Sequence, residues 1–178
     1  MRLHLAILIA IAMPGCGGGS ATPPPPSAWQ TFNASDASFQ IDFPGTPETW
    51  VTAFESPDYG TTTVQHVSAN FSTMTYGVNY NGYPRELSAK EAKAELDNTN
   101  TVPGLIESSE VQIGNTTAVQ VVSNSWGVYQ VALYFIHDSR RLYSIQIGGP
   151  QDPREDKATM DLFFDSFTLD ETSTAPQN

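Results

Sequence analysis

The chain has 178 residues, 39% of them hydrophobic and 11% aromatic, which suits one packed domain with tails. Its 8 Lys and Arg stand against 19 Asp and Glu, a net charge of −11. That excludes nucleic-acid binding, which needs basic clusters to displace counterions from phosphates, and it disfavours broad electrostatic docking on anionic lipid.

Residues 1–15, MRLHLAILIAIAMPG, have the layout of an export signal. Arg2 is the positive start. Leu5 to Met13 is an unbroken apolar run of nine, far short of the roughly 20 residues that span a bilayer as a helix. Pro14 and Gly15 stop that run and leave the next bond extended. Cys16, the one cysteine of the chain, follows at once.

Met13-Pro14-Gly15-Cys16 resembles a bacterial lipobox. There the lipoprotein signal peptidase cuts before a cysteine acylated on sulfur. Gly15 and Met13 match that pattern, while Pro14 departs from its usual Ala, Ser or Thr. An ordinary cut after Ala21, with small residues at Gly19 and Ala21, is the alternative, and it would discard Cys16. The place of Cys16 just past the apolar run, and its lack of a disulfide partner, favour lipid attachment.

GGGSATPPPPS, residues 17–27, turns from flexible to polyproline-stiff. Extended, it reaches on the order of 30 Å at about 3 Å per residue. It reads as a tether (16–28 with the lipid-attachment Cys16) ahead of a domain at 29–170. Residues 171–178 read as a disordered polar tail.

Inside the domain the period is two. Phe39, Ile41 and Phe43 mark a half-buried strand ending at Pro44-Gly45. Residues 49–54 form a second strand, SPDYG a turn, and Thr61–Phe71 its hairpin partner. Tyr76, Val78 and Tyr80 alternate on the next strand. Ser88 and Glu91 then form a capping box that opens a short surface helix, AKEAKAELDN. Strands return at 105–113, 117–123 and 128–137, with turns at Gly114-Asn115 and Asp138-Ser139. VALYFI is apolar on both faces, so it is a central strand. RLYSIQI is the next strand. Asp152-Pro153 opens a helix that runs to about Phe164, with Ala158, Leu162 and Met160 or Phe163 toward the sheet. Ser166 to Leu169 closes the domain. The fold class is α+β: a largely antiparallel sheet of about six to eight strands with helices packed on it.

FQIDFPGTPE, YGVNYNGYP, and RLYSIQIGGP followed by a helix and FFDSFTL resemble bacterial members of the PsbP-like superfamily over most of residues 32–170. The resemblance implies an antiparallel sheet with helices on both faces. It also implies an accessory or binding role, and it brings no catalytic residues.

The residues themselves lead the same way. His66 and His137 are the histidines of the mature chain, and each lies in an expected strand without a second ligand at metal spacing. They could meet across the sheet. Neither G-x-S-x-G nor S-x-x-K occurs in the domain. Asp152, Glu155, Asp156 and Asp161 cluster at the last helix. They could serve a glycosidase or hold calcium, but acids at a helix start also answer the helix dipole. Trp126, in the turn SNSWG, with Tyr80 and Tyr83, are the candidate contacts for a partner or ligand; the alternative for Trp126 is folding back on the core.

The reading is a non-enzymatic envelope protein, lipid-anchored at Cys16, with an unknown envelope protein as partner and no cofactor or metal. An outer-membrane site is expected in a two-membrane cell, because Gly17 is not the Asp that signals inner-membrane retention. Alternatives are a ligand- or metal-binding module, a periplasmic or secreted protein, and, last, a hydrolase.

Overall fold

A computed structural model describes residues 28–36, 38–56 and 59–170. The expected signal peptide, Cys16, the tether to residue 27 and the tail 171–178 lie outside the described residues.

Ten strands and two α-helices occur among the described residues. The first strands are β1 (Gln30–Asn33), β2 (Phe39–Phe43), β3 (Glu48–Ser56), β4 (Gly60–Phe71) and β5 (Met74–Gly82). Helix α1 (Ala89–Asn98) and a 3-10 turn follow. Then come β6 (Leu105–Ile113), β7 (Thr116–Ser125), β8 (Val128–His137) and β9 (Arg141–Gly149). A second 3-10 turn (Pro153–Asp156), α2 (Lys157–Asp165) and β10 (Thr168–Leu169) end the domain. A seven-stranded antiparallel sheet has the order β3-β4-β5-β9-β8-β7-β6. A three-stranded sheet, β1-β2-β10, packs on one face of it.

Alternation decides what each face carries. On the inner face, Val67, Val78, Ile145 and Leu133 lie in one row, flanked by Tyr76 with Ile147 and by Tyr80 with Tyr143 and Phe135. These rows meet Phe39, Ile41 and Phe43 of β2, Phe163 of α2 and Phe167 in one core. Phe39 lies edge-on to Tyr80 at 5.1 Å and stacks on Phe167 at 5.4 Å. Phe163 wedges between Phe43 (5.6 Å) and Tyr76 (5.3 Å).

The expected strands all form, most of them longer at the ends. β1 is an addition. QTFN has no alternation of its own and becomes a strand by pairing with β2. The last helix differs from expectation in two respects. Asp152 caps the 3-10 turn through Arg154 N–H, and the α-helix starts later, with Asp156 as its cap. Ala158 is exposed, and Phe163 is the residue α2 buries fully. Ala158 and Phe163 are five positions apart in α2, about 140° around the helix, so the face that buries Phe163 leaves Ala158 in solvent.

Helix α1 lies on the other face, where Lys93 approaches Glu110 of β6. It buries none of its residues fully and depends on its capping box. Ser88 Oγ accepts from Glu91 N–H, and the Glu91 carboxylate accepts from Ser88 N–H at 2.9 Å. Arg85 and Ser88 hold the Glu91 carboxyl down at about 2. The two helices thus flank the large sheet.

Candidate functional site

The β7–β8 hairpin closes in two residues, because Ser125 pairs with Val128. Both loop residues have left-handed backbone, Trp126 at φ 57° and Gly127 at φ 82°. That is the turn whose twist suits a hairpin, and Asn-Gly is its favoured sequence. Here Trp occupies the first position. Gly127 N–H donates to Asn124 Oδ1 at 3.2 Å, so the preceding Asn closes the turn. Among the described residues the Trp126 side chain packs on nothing, and it is 100% exposed.

A second loop lies alongside. Asn124 N–H donates to Gly104 O at 2.8 Å. Gly104 has φ +70°, and a Cβ there would lie 1.9 Å from Asn124 O. Only glycine permits this approach. It sets the start of β6 against the end of β7, with Leu105 opposite Ser123 and a bulge between Leu105 and Glu107. Leu105 and Ile106 are both exposed. The loops TNTVPGLI (99–106) and SNSWGVY (123–129) contain no charged residue. The next charge along, Glu107, is paired with Arg154 at 3.5 Å. The result is an exposed apolar corner without charge in its two loops, fixed to the edge of the large sheet.

Trp126 is fully exposed and does not fold back on the core. Tyr80 and Tyr83 are not beside it. Tyr80 stacks on Tyr143 at 5.8 Å within the core, and burial pushes its hydroxyl up to about 12. Tyr83 is buried against Tyr59 at 5.0 Å, and burial raises its hydroxyl too. Its N–H donates to Arg140 O at 2.7 Å, at the opposite end of the sheet. Both follow from β5 being a central strand covered on both faces, a fact that strand order decides. Leu105 and Ile106 were not singled out from the sequence, since the register of β6 on β7 is what brings them to Trp126.

The two histidines do not meet. His66 lies in a row with Asn79, Ser144 and Tyr134. His137, three residues beyond Tyr134, points to the other face and pairs with Asp138 at 3.0 Å. His66 is 4% exposed beneath the Trp50 indole, which stacks on it at 4.9 Å with 4° between planes. Its Nδ1–H donates to Asn79 Oδ1 and its Nε2 accepts from the Thr52 hydroxyl, each at 2.7 Å. Burial lowers its pKa, so the ring stays neutral. The row ties β3 to β4 and β5.

Three of the four acids of the last helix are occupied locally. Asp152 binds the Arg154 guanidinium and backbone, Asp156 caps α2 through Thr159 N–H, and Asp161 pairs with Lys157. Asp152 and Asp156 also line an open cleft of about 320 Å³ with Met74, Tyr76 and Met160. Among the described residues no three His, Cys, Asp or Glu converge on a metal position. No described helix is long and apolar enough to cross a membrane.

No protein-family model and no curated protein sequence matches the chain. The fold does have solved counterparts. The solution structure of cyanobacterial PsbP (CyanoP) from Synechocystis sp. PCC 6803 superposes with a TM-score of 0.53 at 11% identity, covering 88% of this chain and 98% of that one. At that identity the likeness concerns the fold alone. Together with the sheet order and the two flanking helices, it makes this chain an α+β domain with a PsbP-like fold.

Proposed function

We propose that the chain is a lipid-anchored, non-enzymatic accessory module of the cell envelope, attached through Cys16, that acts by contact in support of an envelope protein. The observation that carries contact as the mode of action is the Trp126 corner: a wholly exposed indole at a left-handed turn position that favours Asn or Gly. The export signal, the lipobox-like MPGC and the Gly/Pro tether support the anchor. The PsbP-like fold supports an accessory role.

Mass spectrometry of the mature protein from native membranes tests the anchor. A chain starting at an acylated Cys16 is expected; an unmodified chain starting at Thr22 overturns it. A photo-crosslinking residue at position 126 tests the contact. Capture of an envelope lipid or protein in cells is expected, and a corner that crosslinks to nothing overturns it.

A further inference from the structure

The strand directions place the chain entry and the Trp126 corner at the same end of the domain. Trp29 packs edge-on to Tyr76 at 6.1 Å. Tyr76 pairs with Ile147, which pairs with Val131, which pairs with Val122. Trp126 comes four residues after Val122 on β7, so it projects beyond this row by about 13 Å at about 3.3 Å per residue. It lies two to three strands sideways from β5, about 10–15 Å at the usual strand spacing. β1 runs from this end toward the other, where Asp36 meets Arg141 at 3.3 Å. The tether therefore joins the domain on the side where Trp126, Leu105 and Ile106 protrude.

The geometry points to a bilayer as the occupant of this corner: Trp126, flanked by Leu105 and Ile106, enters the interfacial layer of the membrane that holds the chain. The inference rests on the anchor at Cys16 proposed above. Residues 17–28 number twelve, and at about 3 Å per residue they span about 36 Å when extended. The corner is thus always within reach of the anchoring surface. An indole suits that layer, with an apolar body and one N–H for the headgroup level. The absence of charge in 99–106 and 123–129 matters as much, because a charge carried into this layer has to be dehydrated. The net charge of −11 means that anionic lipid adds no attraction, so the contact is apolar and does not depend on it. A lipid anchor and an interfacial side chain together form a two-point attachment that orients the domain; either alone leaves it free to tumble on its tether. The β8–β9 turn then faces away from the membrane, toward any protein partner.

The test uses the mature chain with Cys16 coupled to a maleimide lipid. This fixes the anchor chemically, so the result does not depend on which peptidase acts in the cell. On zwitterionic phosphatidylcholine vesicles containing brominated acyl chains, part of the tryptophan emission should be quenched. That quenched part should vanish in Trp126→Ala, whose wholly exposed side chain can be removed without disturbing the fold. It should be unchanged by added salt or by anionic lipid. Equal quenching in wild type and Trp126→Ala, or none in either, overturns the inference. So does absence of quenching joined to a Trp126-dependent crosslink to an envelope protein, which would assign the corner to a protein. Failure to find acylated Cys16 in the native protein overturns the anchor and leaves the quenching result to be read by itself.

Discussion

Trp126 is in conflict with its own turn. A left-handed backbone costs a bulky L-residue on the order of 1 kcal/mol, while Asn adopts it readily. The exposed side chain gains no packing in return. A residue that breaks the local rule with no compensation among the described residues is what the proposed contact role would leave behind. Trp126→Asn should therefore raise the unfolding free energy by about 1 kcal/mol in urea titration, while removing the contact. An unchanged or lowered stability would mean that the indole does pack, and would weaken the case for the corner. Much of this was legible in the sequence: S-W-G between two strand-like runs already marks a Trp at a hairpin tip. Its companions were not. Leu105 and Ile106 are about twenty residues away in the chain, and the close approach of Gly104 to Asn124 is a tertiary event. Tyr80 misled for the opposite reason. Its alternation with Tyr76 and Val78 marks a strand, but alternation on one strand does not reveal what covers the other face.

At the level of elements, β3 is an outer strand, paired among the described residues only with β4, and its tie to the interior passes through His66. The unfolded chain carries an ordinary histidine with a pKa near 6.5, and burial lowers that of the folded ring. As pH falls through 6.5 the unfolded state takes the proton first, so stability falls with it and levels off only below the folded pKa. Glu91 acts in the same sense at lower pH. Its contribution is present above its ordinary 4.5 and lost as pH falls toward about 2. Denaturation midpoints should thus show a first decline between about pH 7 and 5. That decline should be absent in His66→Gln, leaving only the acid one; a decline of equal size in the variant would exclude His66 as its source. The cross-strand row could not be read in advance. Thr52, His66 and Asn79 are spaced by fourteen and thirteen positions, and only the two hairpin registers align them. The strands and α1 were legible, because period two and a capping box are local signals. The start of α2 was not: Asp152 and Asp156 are both sound caps, and the chain uses each for a different kind of turn.

In the whole molecule, both ends of the domain are fastened to one short strand. β1 pairs along all of its length with β2, and β10 pairs with the start of β2 on its other side. The five-residue β2 thereby closes the inner face of a seven-stranded sheet, and its Phe39, Ile41 and Phe43 supply the centre of the core. The C-terminal lock is the stretch after α2. Phe167 fills the space between Phe39, Phe135 and Tyr143, Ser166 Oγ accepts from Asp42 N–H at 3.1 Å, and Asp170 N–H donates to Ser38 O at 3.2 Å. A chain ending at Asp165 loses all three, though its large sheet is complete. Removing a buried Phe costs about 3–5 kcal/mol, a large part of the 5–15 kcal/mol that holds a typical domain. Truncation at Asp165 should therefore lower the unfolding free energy by at least about 3 kcal/mol, and Phe167→Ala should reproduce most of that loss. A chain ending at Asp170 should match the full chain. If the Asp165 chain were as stable as the Asp170 chain, β2 would be held by β1 and α2 alone, and the small sheet would be an ornament of the fold rather than its closure. On the proposed anchor at Cys16, the same experiment bears on orientation at a membrane. Trp29 is carried at the head of β1, so a loosened β2 frees the point where the tether enters, and the Trp126 corner loses its fixed position relative to the anchor.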